Sequence, residues 1–366
     1  MTDQNKTRIR VAILSVLLSL LAGAVVILIL GKNPLTAYFN LLQGCGLLPK
    51  GKYGGGKSMI TDLSSYIDFL TPMVFAALSY AVAMRAGLFN IGISGQMLTA
   101  GFIASITIGY STLAAPIAKP LVLIIGIIAG MLVGSLIGFL KERFNINEVV
   151  SSIMINYIVR YVISFFIQTK YVDPVSRQSK NICDSARLTL HQIKLGGYKY
   201  DIPLGFVLAI IAVIAVKFMF DRTVLGYELH AVGSNKVAAK YAGIRTGRSL
   251  IVSMAISGAL AGIAGVTYYL GYFASIQPKV LVSTGYDAIA VGLLGNNDPV
   301  GILVASFLIE IIQNGSAYMS SQSGLESEIA SVITGLILLF SACNAFFLEK
   351  LAQKKAEESR KKGAKA

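Results

Sequence analysis

The sequence predicts an all-α integral membrane protein with about ten transmembrane helices. Hydrophobic residues make up 55% of the 366 residues and charged residues only 14%, with a mean hydropathy of +0.68. Soluble domains carry about 25% charged residues. Apolar stretches of membrane-crossing length recur along the chain, and both of its ends are basic. These observations together indicate a multi-pass protein of a lipid bilayer.

Nine apolar stretches are long enough to cross about 30 Å of hydrocarbon as helices. They cover residues 9–31, 64–84, 91–114, 118–140, 149–169, 202–220, 249–273, 300–319 and 329–348. A tenth stretch, near 283–295, can cross only with the help of its flanking residues. The first stretch is too long for a cleavable signal peptide, whose apolar part has about 7–15 residues, so we expect it to remain as an anchor.

The number of crossings follows from the charges at the two ends. The tail at 349–366 carries seven Lys or Arg and is expected in the cytoplasm together with the basic N-terminus. Ten crossings satisfy both ends, whereas nine do not. We therefore predict a transmembrane domain over 1–348 and a charged cytoplasmic tail. In this topology the loops 32–63 and 170–201 lie outside the cell, and the loop 221–248 lies in the cytoplasm.

Composition and spacing argue against several function classes. The net charge of +14 arises at helix ends and in the tail, not in one basic stripe with aromatic residues, so no nucleic-acid partner is expected. Cys45, Cys183 and Cys343 show no metal-ligand spacing, and unpaired cysteines are favoured over a Cys45–Cys183 disulfide, which stays open. No pair of carboxylates suggests acid–base catalysis. We expect no catalytic residue, and no metal or cofactor bound by this chain.

Polar residues within the apolar stretches are candidates for a solute path, because charged and polar groups in a bilayer usually face a partner or an aqueous cavity. A polar stripe recurs at every fourth position of one predicted helix, at Ser152, Asn156, Arg160 and Ser164. Arg160 either lines a path or pairs with Glu310 of another helix. The candidate substrate-path residues are Asn90, Gln96, Asn156, Arg160, Asp287 and Glu310.

Glycine-rich breaks interrupt the apolar pattern once in each half of the chain. One lies at 85–95 ("RAGLFNIGISG") and the other at 292–301 ("GLLGNNDPVG"). Interrupted segments in corresponding halves of a transporter tend to lie along its substrate path, so the two halves are predicted to be pseudo-repeats. Two ordinary tight turns are the equally weighted alternative.

The largest cytoplasmic loop contains a short amphipathic helix of about eight residues. Asn235 can cap its start and Gly243 can end it, while Val237, Ala238 and Tyr241 share one face. A helix this short is marginal alone in water. We expect its apolar face to dock on a cytoplasmic partner protein, with the membrane surface as the alternative.

Four ordered motifs resemble the permease subunits of bacterial ABC importers for nucleosides and simple sugars, which include ribose-type and branched-chain amino-acid-like permeases. They are "MRAGLFNIGISGQM" at 84–97, "NEVVSSIMINYI" at 147–158, "AVGSNKVAAKYAGI" at 231–244 and "YDAIAVGLLGNNDPVG" at 286–301. The "RAGLFNIG" motif is most similar to the nucleoside branch. Ser94 departs from that branch, which often has Glu at this place.

The resemblance implies a type II ABC importer-like permease bundle in the bacterial plasma membrane, surrounded by membrane lipids. Its implied partners are a second, different permease subunit, a cytoplasmic ABC ATPase that uses ATP and Mg²⁺, and an extracytoplasmic substrate-binding lipoprotein. The chain itself would be a transport subunit and not an enzyme. The short loop helix would couple it to the ATPase, through Asn235, Val237, Ala238, Ala239, Tyr241 and Gly243.

The implied function is ATP-driven import of a small polar solute, most simply a purine nucleoside. An ion-coupled secondary transporter and a permease for a simple sugar are the alternatives. The stretch "GKYGGGKS" at 51–58 fits the pattern of a phosphate-binding P-loop. It is preceded by Pro49 rather than by a buried strand and is predicted outside the cell, so we expect a turn near a lipoprotein docking site.

Overall fold

Helices make up most of the structure. The computed structural model describes residues 3–53, 57–195, 198–326 and 328–342. Its α-helices are α1 (Asp3–Ile29), α2 (Pro34–Gly44), α3 (Met59–Arg85), α4 (Ile93–Ala104), α5 (Ala115–Phe144), α6 (Glu148–Phe166), α7 (Leu204–Arg222), α8 (Val224–Ser234), α9 (Lys236–Tyr241), α10 (Thr246–Thr267), α11 (Thr284–Leu294), α12 (Pro299–Ser323) and α13 (Glu328–Ala342). Turns of π-helix continue α4, α6 and α10 over Ser105–Gly109, Ile167–Tyr171 and Tyr268–Tyr272.

The described residues contain six helices that are long and apolar enough to cross a membrane, namely α3, α5, α6, α7, α10 and α12. The apolar part of α1 and helix α2 form a seventh candidate span, bent by 115°. Three further apolar helices, at 93–109, 284–294 and 331–340, are shorter. The chain is thus a multi-pass membrane protein, and the ten crossings stay a prediction because these three helices are shorter than the membrane is thick. The predicted tail at 349–366 lies outside the described residues.

The helical fold, which agrees with the predicted all-α class, also contains one small antiparallel sheet that was not predicted. Strands β1 (Thr189–Leu195) and β2 (Tyr198–Pro203) pair with Thr189 opposite Pro203, and the register shifts between Leu190 and Ile193. The Thr189 hydroxyl donates a hydrogen bond of 2.7 Å to Asp68 Oδ1 of α3. Two adjacent glycines separate the strands in the sequence, a spacing typical of hairpins. The predicted loop 170–201 therefore contains regular structure, with a 3₁₀ turn at Asp184–Ala186 ahead of the sheet.

Helix α3 lies at the centre of the bundle. Of its most apolar 18-residue window, 83% is buried, compared with 28% for α7. The outer helices expose apolar side chains such as Ile128 and Leu132 of α5 and Ile211 of α7. Such faces suit contact with lipid chains, because an apolar side chain that meets hydrocarbon is not exposed to water.

Glycines bring α5 and α10 into backbone contact. A Cβ atom on Gly130 would lie 2.2 Å from the Gly258 carbonyl oxygen, and one on Gly258 would lie 2.3 Å from the Gly130 carbonyl oxygen. Gly134 meets Met254 and Gly258 in the same way. These small residues are therefore the surface on which the two helices pack.

The loop 32–63, which is predicted to lie outside the cell, contains helix α2, and this helix was not predicted. Cys45, at the end of α2, and Cys183 form no disulfide, so the alternative of a Cys45–Cys183 disulfide does not hold. Cys343 lies outside the described residues.

The P-loop-like stretch at 51–58 lies just before α3, and its Gly54–Gly56 are outside the described residues. Ser58 and Thr61 form a capping box at the start of α3. The serine that would bind Mg²⁺ in a true P-loop is thus used to begin a helix.

Candidate functional site

Two short helices begin inside the bundle with their N-termini in contact. A Cβ atom on Gly285, at the start of α11, would lie 2.3 Å from Ser94 Oγ and 2.6 Å from the Ser94 backbone nitrogen, at the start of α4. The Ser94 hydroxyl donates a hydrogen bond of 2.9 Å to the Val282 carbonyl. We call this contact the helix break. Discontinuous helices of this kind surround the substrate sites of many transporters.

Asn90 and Gln96 lie at the helix break, and their amides are bonded within the protein. Asn90 Nδ2 donates to Ser257 Oγ at 2.8 Å and to Gln96 Oε1 at 3.1 Å. Asn90 Oδ1 accepts from the Gly92 backbone nitrogen at 2.9 Å. Both side chains are fully buried. They therefore brace the chain that enters α4.

Asn156 joins α6 to the helix break. Its Oδ1 accepts from the Gly95 backbone nitrogen and its Nδ2 donates to the Ile91 carbonyl, each at 3.0 Å. Gly95 allows this approach, since a Cβ there would lie 2.4 Å from Asn156 Oδ1. The serines of the predicted stripe, Ser152 and Ser164, are buried as well. The stripe thus faces the bundle interior.

Arg160 does not pair with Glu310 in the part of the chain that the structure describes. Its Nε donates to the Lys279 carbonyl, and the Lys279 backbone nitrogen donates to Ser164 Oγ at 2.7 Å. Lys279 has a φ of 61°, a conformation that costs energy for a non-glycine residue. Arg160 and Ser164 therefore hold the strained chain that leads into α11.

Glu310 lies in the interior of α12 and is only 1% exposed. Its Oε2 atom has no hydrogen-bond partner among the described residues, and neither has the hydroxyl of Ser306, one turn earlier. Asp287, in the first turn of α11, is close enough to interact electrostatically with Glu310. A buried polar group without a partner costs about 1–3 kcal/mol. These atoms are therefore available to a bound group.

Helix α9 begins and ends as the sequence predicts but has six residues. Asn235 Oδ1 accepts from the backbone nitrogens of Val237 and Ala238, both at 3.0 Å. At the other end, Gly243 has a φ of 85°. Its nitrogen donates to the Lys240 carbonyl, and the Ile244 nitrogen donates to the Ala239 carbonyl. This pattern is a Schellman motif.

The predicted docking face of α9 is exposed. Val237 is 65% exposed and Tyr241 90% exposed, while Ala239 is 5% exposed and packs in a small core with Val232, Leu250 and Met254. One face of α9 is thus anchored and the other is open to a partner.

Helix α8 precedes α9 and was not predicted. A Cβ atom on its Gly233 would lie 2.3 Å from the Arg85 carbonyl oxygen, so α8 packs on the end of α3, where the chain turns toward the helix break. A cavity of about 270 Å³ lies beside this contact and is lined by Lys141, Glu148 and Lys236 among others. Lys141 and Glu148 form an ion pair of 2.8 Å. Through the contact of Gly233 with Arg85, α8 connects α9 to the end of α3, from which the chain continues to the helix break.

An ion pair that was not predicted from the sequence links α7 to α12. Lys217 Nζ lies 2.6 Å from Asp298 Oδ1. The other oxygen, Asp298 Oδ2, accepts from the Val300 and Gly301 nitrogens at 3.1 and 3.2 Å and caps α12. The Asp-Pro sequence is a signal for a helix start, but nothing in the sequence identifies Lys217 as the partner of Asp298.

Among the described residues, no group of three or more His, Cys, Asp or Glu could hold a metal ion.

Comparison with known proteins identifies the family. The chain is similar to the nucleoside ABC transporter permease protein NupB of Lactococcus lactis subsp. cremoris, at 35% identity over 99% of this chain and 100% of that protein. It is 34% identical to the guanosine ABC transporter permease protein NupP of Bacillus subtilis, over 94% of this chain and 97% of that one. The glucose ABC transporter permease protein TsgB13 of Haloferax volcanii is 24% identical over 92% of this chain and 87% of that protein.

A family model described as "branched-chain amino acid transport system / permease component" matches residues 63–342. This range includes the helix break, the candidate substrate-path residues and α9. Members of such a family are transport subunits rather than enzymes. The predicted resemblance to ABC importer permeases is confirmed, and the chain belongs to this permease family.

Proposed function

We propose that this chain is the membrane subunit of an ATP-driven importer that carries a nucleoside, most simply a purine nucleoside, into a bacterial cell. The observation that carries this proposal is the similarity, over nearly the whole chain, to two permeases whose names specify nucleoside and guanosine. The relative named for glucose is more distant. ATP and Mg²⁺ are used by separate ATPase subunits, and a binding lipoprotein delivers the solute from outside.

The exposed face of α9 is the ATPase contact in this proposal. Val237, Ala238 and Tyr241 present it, while Asn235 and Gly243 fix both ends of the helix. Motion of α9 reaches the helix break through α8 and the end of α3, since Gly233 packs directly on the Arg85 backbone. The Lys217–Asp298 ion pair is a second connection, between α7 and the start of α12.

The solute path passes between α11 and α12. Asp287 and Glu310 line it, because the two acidic groups are within electrostatic range of each other and Glu310 Oε2 has no hydrogen-bond partner among the described residues. Asn90, Gln96 and Asn156 shape the path by bracing α4, and Arg160 shapes it by holding Lys279.

The finer topology is part of the same proposal. The short apolar helices at 93–109, 284–294 and 331–340 complete ten crossings together with their flanking residues, and the two halves are pseudo-repeats. Both termini then lie in the cytoplasm, and α2 and the β-hairpin face the lipoprotein. A second, different permease subunit completes the membrane unit.

Uptake by the assembled transporter tests the proposal. The chain is reconstituted in proteoliposomes with its second permease, ATPase and lipoprotein, and radiolabelled guanosine uptake is measured with internal ATP, with an ATPase-site variant of the partner, and with an imposed proton or sodium gradient. We expect uptake only with ATP and a functional ATPase. Uptake driven by a gradient without ATP would refute the importer, and faster uptake of ribose than of guanosine would refute the nucleoside assignment.

A further inference from the structure

A π-helical turn at the end of α10 brings several aromatic rings together. Tyr268 and Phe273 have ring centroids 4.9 Å apart, Tyr272 and Phe273 4.8 Å apart, and Tyr272 lies 4.9 Å from Phe69 of α3. We call these four residues the aromatic cluster. Turns of π-helix occur frequently at functional sites, where they re-orient side chains.

Contacts along α3 connect the aromatic cluster to the part of α12 that carries Glu310. Phe69 of the cluster lies one turn along α3 from Tyr66, and the Tyr66 hydroxyl bonds to α12 at Phe307, one turn before Glu310. The Tyr268 side chain is close enough to interact electrostatically with Glu310, and its hydroxyl forms no hydrogen bond with the described residues. Tyr66, the other tyrosine near Glu310, differs, because its hydroxyl donates to the Phe307 carbonyl at 2.6 Å. Tyr66 is therefore committed to joining α3 and α12, whereas Tyr268 has a free hydroxyl.

The two features have complementary chemistry. Partly exposed rings offer flat apolar faces, and base–aromatic stacking is worth about 1–3 kcal/mol per base. A carboxyl group accepts hydrogen bonds in either protonation state, and carboxyl groups accept hydrogen bonds from ribose hydroxyls in dinucleotide-binding proteins. A solute that has both a planar base and a ribose would use both features at once.

We propose that the aromatic cluster and Glu310 form a nucleoside-binding site within the permease itself. The base stacks on the rings of Tyr268 and Tyr272, and the ribose hydroxyls donate hydrogen bonds to Glu310. This inference rests on the proposed function and adds a site to it. Glu310 is 1% exposed, so the structure shows the site closed, and the nucleoside enters when α12 moves away from α3.

Equilibrium binding to the assembled transporter tests the site. The complex of both permeases and the ATPase is purified without the lipoprotein, so that binding to the permease alone is measured, and radiolabelled guanosine is titrated in an equilibrium dialysis. The variant Tyr268→Leu removes the ring, whereas Tyr268→Phe keeps it. Tyr157→Leu is the matched control, because Tyr157 is 51% exposed on the outer face of α6.

Tyr268→Leu is expected to raise the Kd for guanosine by about 5- to 150-fold, the equivalent of one stacking contact. Tyr268→Phe and Tyr157→Leu are expected to change the Kd by less than about threefold. Tyr272→Leu provides a second test if Tyr268→Leu does not assemble. An unchanged Kd in Tyr268→Leu, or in Tyr272→Leu if only that variant assembles, would overturn the stacking role.

The role of Glu310 is tested with a ligand that lacks the 2′ and 3′ hydroxyls of the ribose. The wild-type complex is expected to bind guanosine more tightly than 2′,3′-dideoxyguanosine, and Glu310→Met, which removes both oxygens, is expected to reduce this preference toward one. An unchanged preference would overturn the carboxylate contact. If the wild-type complex transports guanosine with ATP but binds none without the lipoprotein, the site is refuted while the proposed function stands. If it transports no nucleoside, the proposed function itself fails.

Discussion

The contact between α5 and α10 gives a stability prediction whose size follows from the structure. A Cβ atom added at Gly258 would lie 2.3 Å from the Gly130 carbonyl oxygen, whereas ordinary contact begins at 3.4 Å, so the backbones must separate by about 1.1 Å. A carbonyl oxygen cannot rotate away as a flexible side chain can. Overpacking of this kind costs about 1–3 kcal/mol, and we take the upper end because the obstacle is backbone.

The helix propensity of alanine offsets part of this cost. Replacing glycine by alanine in a helix gains about 1 kcal/mol, so Gly258→Ala should destabilise the protein by about 2 kcal/mol. Gly335→Ala in α13 is the matched control, since no atom lies within 4 Å of its added Cβ. It should leave stability unchanged or raise it by up to about 1 kcal/mol.

The free energy of unfolding of both variants can be measured by titrating the purified chain from mild detergent into SDS and following helicity by circular dichroism. We expect Gly258→Ala to unfold at a clearly lower SDS fraction than Gly335→Ala. Equal midpoints for the two variants would show that α5 and α10 do not touch through these glycines.

Three further predictions concern the connections within the bundle and to its partner. Tyr241→Asp should leave the ATPase active but reduce guanosine uptake per ATP hydrolysed, because the docking face of α9 is lost; an unchanged ratio would exclude this role. Asp298→Asn keeps an oxygen to cap α12 and loses only the ion pair with Lys217, which should lower the free energy of unfolding by less than about 1 kcal/mol because both groups are partly exposed. Asp298→Ala also loses the cap and should cost about 1 kcal/mol more. Equal unfolding midpoints for the two variants would contradict the separate contribution of the cap. Asn156→Ala should leave the Gly95 N–H and the Ile91 carbonyl without hydrogen-bond partners. At about 1–3 kcal/mol per buried group, the free energy of unfolding should fall by about 2–6 kcal/mol. A loss below about 1 kcal/mol would show that water replaces the amide.

Local patterns in the sequence predicted local structure well. Asn235 and Gly243 were predicted to cap and end one helix, and both do so, because capping depends on a few neighbouring residues. The inward orientation of the Asn156 stripe also follows from helical periodicity alone.

Features that depend on distant parts of the chain could not be predicted. Arg160 binds a backbone carbonyl at Lys279, 119 positions away, rather than Glu310, and no local pattern indicates that partner. The pair of Lys217 with Asp298 is of the same kind. The number of membrane crossings stays a prediction, because hydropathy does not distinguish a short helix with apolar flanks, such as α11, from a complete crossing.

The most direct test of the central claim is the initial rate of radiolabelled solute uptake into proteoliposomes that contain the complete transporter. Guanosine and ribose are compared, each with and without ATP on the ATPase side. We predict guanosine uptake that depends on ATP and is much faster than ribose uptake. Guanosine uptake that is equal with and without ATP, or no guanosine uptake by a transporter whose ATPase is active, would contradict it.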